Sequence, residues 1–385
     1  MIGLVITALL VGGQIYSYRA LEPRLVARVG QKRARAAHYG LLAFQLLVLV
    51  VLCLDNNWPI ARLWAEPGPV GRTLALAAGI WIAGSSGAGL LLLVLHLLSR
   101  RRAPIPQPSA GLTRRQLLAT AAVATPFAVA AYGALVTRLA FELRDVAFPT
   151  RNLPPPLAGL RIALVTDLHF GPYLSLPDLN RVVDITNEAR PHLTLVTGDF
   201  ITRVGDPLDA CLAQLARLRA DAGVFGCLGN HEVYAGCEDY ATAACRRLGI
   251  EILRGRARLL EINGARLNLS GVDYQSQRLP YLTGTERLLV PGAVNLLMSH
   301  NPDVFPVAAK LGYDLVVGGH THGGQVTVEI LEQTLNVSRF FTPFVAGLYR
   351  RASSALYVSR GVGTINLPVR LGARPEVTLL RLTPA

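Results

Sequence analysis

From Leu160 onward a short apolar run stops five times, and each time Asp, His or Asn follows, often beside Gly. Arg161–Thr166 runs into Asp167-Leu168-His169, Leu193–Thr197 into Gly198-Asp199, and Gly223–Leu228 into Gly229-Asn230-His231-Glu232. Val294–Met298 leads to Ser299-His300-Asn301-Pro302, and Asp314–Val317 to Gly318-Gly319-His320-Thr321-His322-Gly323-Gly324-Gln325. The runs have the length of buried strands. Amphipathic stretches at Leu176–Arg190, Pro207–Leu218 and Tyr240–Leu248 separate the first of them, a layered α/β pattern. Arg258–Ile262 and Arg266–Val272 read as a hairpin turning on Asn263-Gly264. Binding sites in layered α/β folds form outside the carboxyl ends of strands. Here those ends gather two Asp, one Asn and five of the chain's eight His. One such residue has a plain explanation as a helix cap or a backbone-satisfied ring; five in register call for a shared purpose.

The donor types say what that purpose is. Glycines crowd both sides of His320 and His322, which suits a tight loop that re-aims side chains without a Cβ penalty. Imidazole and carboxylate without thiolate suit Mn, Fe, Zn or Co rather than a structural zinc. Two adjacent divalent ions fit the number of donors, and Asp199, lying between the two ligand groups in the chain, is the natural bridge. The five cysteines (Cys53, Cys211, Cys227, Cys237 and Cys245) include no Cys-x-x-Cys pair, so neither a zinc ribbon nor a redox motif is supported. They read as small buried hydrophobes, with a Cys237–Cys245 pairing left open.

The formal charge of +13 suggests a nucleic-acid partner until it is divided. Residues 1–150 hold 15 Lys/Arg against 5 Asp/Glu, net +10, and residues 151–385 hold 23 against 20, net +3. A duplex-binding face would put its excess on the folded domain, so no nucleic-acid partner is expected. The basic residues instead punctuate apolar runs, as in a membrane region. Spans are expected at about 2–21, 38–54, 73–98 and 117–138, so that residues 1–140 form an all-α transmembrane region. A Pro-rich linker over 141–159 and a folded α/β domain over 160–385 follow. The first and third connectors carry Arg clusters, which places both in the cytoplasm and the domain outside, at the outer face of the cytoplasmic (inner) membrane. Thr113-Arg114-Arg115-Gln116-Leu117-Leu118 resembles a twin-arginine export signal, although it lies over a hundred residues into the chain.

Asp-x-His, Gly-Asp, Gly-Asn-His-Glu, Ser-His-Asn-Pro-Asp and Gly-His-Thr-His-Gly-Gly-Gln, in this order, resemble the calcineurin-like metallophosphoesterases, above all their membrane-associated bacterial branch. Tyr357–Thr364 and Arg374-Pro375-Glu376 resemble the end of that branch, so the likeness covers about residues 158–383. It implies a four-layer β-sandwich flanked by helices. It also implies one ion on Asp167, His169, Asp199 and His322, and a second on Asp199, Asn230, His300 and His320. His231 is then no ligand but contacts the phosphate and helps to protonate the leaving oxygen. The expected activity is hydrolysis of a phosphomonoester or phosphodiester by metal-activated water, with Asp199 and His231 as the catalytic pair.

The substrate is less constrained. Arg339–Tyr349, with Phe340, Phe341, Phe344 and Leu348, could line an apolar rim that presents a lipid-linked phosphate of the bilayer, or simply pack over the sandwich edge. Some relatives hydrolyse the pyrophosphate of UDP-2,3-diacylglucosamine; that reaction is cytoplasmic, and the expected topology argues against it. A membrane sensor or scaffold with a metal-binding module is the alternative from another class, and it gives His231 nothing to do.

Overall fold

A computed structural model describes residues 69–99, 114–276, 280–330 and 333–385, with a few isolated positions before 69. Its two compact units are taken separately, and the division falls close to residue 136.

The first unit contains helix α1 (Pro69–Ser99) and helix α2 (Arg114–Leu135). Two stretches, Gly71–Leu95 and Thr120–Leu139, are long and apolar enough to cross a membrane. They coincide with the third and fourth expected spans. Two such helices, rather than four, are therefore found among the described residues; the expected spans at 2–21 and 38–54 lie outside them. α1 and α2 pack closely because their contact is built on small residues. A Cβ on Gly84 would stand 2.4 Å from the Phe127 ring, and one on Gly87 2.9 Å from Pro126.

The second unit is built on two mixed six-stranded sheets. The first has the order β1-β14-β2-β3-β4-β5, from β1 (Glu142–Thr150), β2 (Arg161–Val165), β3 (Leu193–Thr197), β4 (Val224–Cys227), β5 (Ile250–Ile252) and β14 (Glu376–Pro384). The second has the order β12-β13-β9-β8-β7-β6, from β6 (Arg256–Ile262), β7 (Ala265–Gly271), β8 (Val294–Met298), β9 (Leu315–Gly318), β12 (Gly347–Arg351) and β13 (Ser354–Val358). A small hairpin, β10 (Thr327–Ile330) with β11 (Gln333–Asn336), stands apart from both.

Side-chain alternation along the strands decides which residues meet. Ile162, Leu164, Leu193 and Leu195 of the first sheet pack against Leu267, Leu269, Leu296 and Val317 of the second, all fully buried. The opposite face of the first sheet, with Val165 and Val196, is covered by helices α3 (Leu176–Glu188), α4 (Leu208–Leu215) and α6 (Glu238–Arg247). Helix α7 (Phe305–Leu311) covers Leu297, Val316 and Leu356 on the outer face of the second sheet. Ser175 begins α3 with a capping box shared with Asp178. The expected hairpin turns where predicted, with Asn263 and Gly264 at φ 52° and 80°. Cys211, Cys227, Cys237 and Cys245 are free thiols.

One boundary differs from the sequence reading. The stretch expected as a linker begins with β1, which pairs in parallel with β14 in register Glu142↔Glu376. The strand-forming Glu142–Phe148 lies just ahead of the prolines and is hidden by them in composition. Pro149 is tolerated because β1 is an edge strand, where a missing N–H costs no ladder bond. Arg360 ties the two strands together by reaching Glu142 on one and Glu376 on the other.

Glu376 is fully buried and also accepts from Tyr357 Oη at 3.0 Å and Thr378 Oγ1 at 3.1 Å. Burial alone would raise its carboxyl, but the Arg360 guanidinium prevails and holds it below the ordinary 4.5. A depressed carboxyl contributes stability that is complete above about 4.5 and is lost as pH falls through the folded value. Glu376→Gln is therefore expected to lower the thermal midpoint of the chain at pH 7, with the gap to wild type closing on acidification below about 4. A pH-independent gap would rule out the ionic origin.

Candidate dinuclear metal centre

All five site loops leave the carboxyl ends of β2, β3, β4, β8 and β9. Because β2, β3 and β4 run parallel, as do β8 and β9, the loops emerge together at one end of the paired sheets. Tight backbone turns follow. Asp167, His169, Asp199, His320 and His322 all adopt positive φ, from 46° to 73°. Non-glycine residues in this region carry a conformational cost, and such residues cluster where a site is held in one geometry. Cross-loop hydrogen bonds hold these turns: Asp167 N donates to Gly198 O, His169 N to Asp199 O, and Gly319 N to His300 O, each at 3.0–3.1 Å.

The side chains gather in three overlapping groups whose candidate ligand atoms lie within 4.8 Å of one another. These are Asp167, His169 and His322; Asp199, His300 and His320; and His169, Asp199 and His231. Asp199 Oδ2 lies 3.0 Å from His300 Nε2 and 3.5 Å from His169 Nε2. His322 Nε2 lies 3.4 Å from Asp167 Oδ1, and His320 Nδ1 lies 3.2 Å from His300 Nε2. Asn230, the first residue of helix α5 (Asn230–Ala235), is buried, and its side-chain carbonyl oxygen has no hydrogen-bond partner. His231 sits on the same turn. Its Nδ1 donates to the Thr202 carbonyl, so this nitrogen is engaged away from the other rings.

Three observations fit cations at this position. The Nε2 atoms of His169 and His322 face each other at 3.0 Å, while His169 Nδ1 is engaged by Thr202 Oγ1. With both rings neutral, each can present a lone pair at this nitrogen, and the two atoms are close enough to share a cation. Next, burial pushes His169 down to about 3 and His320 to about 4, and His322 well below its ordinary value. That keeps these rings neutral, the form that binds metal. His300 behaves oppositely. Burial works against its charge, yet Asp199 and then Asp167 push it up to about 10, so the two carboxylates call for positive charge between them. Burial raises Asp167 to about 6, whereas Asp199, despite equal burial, is held well below its ordinary value by His300, His231 and His169. The orphaned Asn230 oxygen, a buried acceptor with nothing to accept from, is the third.

The glycines of the motifs make room for the carboxylates. A Cβ on Gly319 would stand 2.0 Å from Asp167 Oδ2, and one on Gly229 2.1 Å from Asp199 Oδ1. Gly319→Ala, which removes no donor atom, is expected to weaken metal binding about tenfold or more by displacing Asp167. Calorimetric titration of the full chain with Mn2+ checks this, and unchanged affinity would contradict it.

Sequence reasoning missed two residues that build the site. Glu232 lies fully buried, and its carboxylate accepts from Gly229 N, Asp199 N and Phe200 N at 2.7–2.9 Å, pinning the β3 and β4 loops together. Its place in Gly-Asn-His-Glu was a signal, but its role shows only when the loops are side by side. Arg370 lies 48 residues beyond His322, and no motif marks it. It is fully buried, donates to the carbonyls of Gly363 and Ala373, and brings Nη2 to 3.4 Å from His322 Nδ1. Burial lowers its guanidinium to about 9. The apolar rim divides: Phe344 packs edge-on against Phe305 and Tyr349, whereas Phe340 is 86% exposed. Beside it a cavity of about 300 Å3 is lined by His320, His322, Asp303, Phe341 and Ile365 among others.

Comparison with known proteins agrees with this geometry. The family profile of calcineurin-like phosphoesterases matches residues 160–324. A transmembrane protein with metallophosphoesterase domain from Bos taurus is 31% identical over 62% of this chain, but the match spans only 56% of the bovine protein's length. Phosphodiesterase YaeI of Escherichia coli is 29% identical over 63% of this chain and 88% of its own length. An uncharacterized metallophosphoesterase of Aquifex aeolicus is 32% identical, with 60% of this chain and 88% of that protein covered. With the five motif loops in place and a relative matched along most of its length, the chain belongs to the calcineurin-like metallophosphoesterases, a family of metal-dependent phosphoester hydrolases.

Proposed function

We propose that this chain is a membrane-tethered hydrolase of phosphomonoesters or phosphodiesters that works with two divalent cations. The observation that carries the reading is Asp199, shared between donor groups on either side of it, with His231 on the same turn as Asn230. Asp167, His169, Asp199 and His322 would hold one ion, and Asp199, Asn230, His300 and His320 the other. Such a pair supplies Lewis acidity that makes hydroxide available near neutral pH and offsets charge on the phosphate oxygens.

The protein's own groups do the rest. Glu232 fixes the backbone at Asp199 so that its carboxylate stays between the two donor groups. Thr166 Oγ1 donates to Asp167 Oδ2 at 2.8 Å, and His320 N to Asp167 Oδ1 at 2.9 Å, orienting that carboxylate in the same way. With its Nδ1–H donated to Thr202, His231 presents Nε2 as the nitrogen that hands a proton to the departing oxygen.

The tether supports a substrate at a membrane surface. Two helices are apolar enough to span, and few residues separate the second from β1. The Arg-rich connector between them, with Arg100, Arg101, Arg102, Arg114 and Arg115, would lie in the cytoplasm and place the domain at the outer face. The exposed Phe340 beside the cavity next to His320 and His322 favours a lipid-linked phosphate, with the aromatic ring at the interface.

The test is hydrolysis of bis-p-nitrophenyl phosphate and p-nitrophenyl phosphate by the full chain in detergent. Manganese is expected to support turnover, a chelator to abolish it, and added metal to restore it. No turnover of either ester with Mn, Fe, Zn or Co would overturn the reading in favour of a metal-binding sensor module.

A further inference from the structure

The loop between β3 and α4 contains a buried carboxylate that the hydrolytic reading leaves without a task. Asp206 is 6% exposed, and its Oδ2 accepts from Thr202 N at 2.9 Å and from Arg203 N at 3.0 Å. Arg203 Nε stands 3.7 Å from the other oxygen, and Asp206 N donates back to Arg203 O at 3.2 Å. These bonds close a tight turn over residues 202–206. Room for the carboxylate is left by Gly171, where a Cβ would stand 3.2 Å from it.

What the turn presents is Thr202. Its hydroxyl lies 3.1 Å from His169 Nδ1, and its carbonyl accepts from His231 Nδ1. One residue therefore holds a ring that faces the metal site and the ring assigned to protonate the leaving group. Since a carbonyl can only accept, Nδ1 of His231 must carry the hydrogen, and the tautomer that presents Nε2 to the substrate is selected. In His169 the Thr202 hydroxyl, able to donate or accept, occupies Nδ1 and leaves Nε2, the atom that lies 3.0 Å from His322 Nε2, facing the site. The two rings meet edge to face, with centroids 4.7 Å apart, so a slip in one is felt by the other.

We infer that Asp206 and Thr202 are positioning residues that set His169 for metal and His231 for proton transfer through one shared turn. The inference rests on the proposed hydrolysis and adds a coupling to it: loosening this turn weakens metal binding and proton donation together. Ordinary outer supports of metal ligands contribute about 10–100-fold. The coupling predicts a second effect that a purely structural support would not produce. Loss of activity should grow as the leaving alcohol becomes a poorer leaving group, because only a poor one needs the proton.

The test uses the full chain in detergent with four variants: Asp206→Asn, Asp206→Ala, Thr202→Val and Thr202→Ser. Thr202→Val is expected to bind Mn2+ about tenfold more weakly by calorimetry, and Thr202→Ser to restore wild-type affinity. Asp206→Ala is expected to lose about tenfold in kcat on methyl p-nitrophenyl phosphate, measured for departure of p-nitrophenolate. On dimethyl phosphate or another dialkyl ester it should lose about a hundredfold, and Asp206→Asn should fall between. Thermal midpoints within a few degrees of wild type for Asp206→Asn and Thr202→Ser separate these effects from misfolding. Equal losses on both esters, or a Thr202→Val protein with wild-type metal affinity, would overturn the inference while leaving the hydrolytic reading in place. A wild-type chain that binds Mn2+ but hydrolyses neither ester would overturn the hydrolytic reading, and with it the role given to His231; the calorimetric arm would still decide the part played by Thr202 toward His169.

Discussion

Asp199→Asn is expected to lose about a thousandfold or more in kcat/KM on bis-p-nitrophenyl phosphate while the fold survives. The carboxylate lies at hydrogen-bond distance from His300 and close to His169, and so belongs to both donor groups. Removing its charge weakens both sides of the centre at once, and several kcal/mol of charge stabilisation correspond to this loss. The fold should survive because the amide oxygen can still accept from His231 N, as Asp199 Oδ1 does at 3.0 Å. Kinetics beside a thermal unfolding curve check the prediction. Full activity in a folded Asp199→Asn chain would remove Asp199 from its central place.

The second large effect is at His231. His231→Ala should lower kcat by about a hundredfold to ten-thousandfold, the range for a positioned proton donor. Metal content should stay close to wild type, because none of the ligand atoms assigned above comes from this ring. The loss should be smallest for p-nitrophenolate, which departs without a proton. A variant that also loses its metal would mean that His231 acts as a ligand, a reading its place within 4.8 Å of His169 and Asp199 makes worth testing.

The sequence makes the site unusually readable, and the reason is physical. Each candidate ligand follows a short apolar run, and a run of that length fits a buried strand whose end faces the same way as its parallel neighbours. Asp167, Asp199, Asn230, His300 and His320 could thus be placed together from strand ends alone. What periodicity cannot carry is contact between distant segments. β1 pairs with β14 across more than 230 residues, Glu142 beside Glu376, and nothing local to the Pro-rich stretch announces it. Arg370 is invisible for the same reason, since it acts on a histidine loop from 48 residues away, and Asp206 is hidden because the Thr202 it holds meets His169 only in the assembled loops. The positive φ values of Asp167, His169 and Asp199 are hidden as well. These residue types do not require such a conformation, and only the assembled loops impose it. In the N-terminal region, hydropathy gave the positions of α1 and α2 correctly because a helix of that length and composition has few other uses.

The central claim is that separate loop tips grip a pair of cations. Elemental analysis of the intact, freshly purified chain tests it most directly. Two divalent metal ions per chain are expected, falling together with phosphoesterase activity under chelation and returning together on metal addition. Undiminished hydrolysis by a chain stripped of metal would contradict the account.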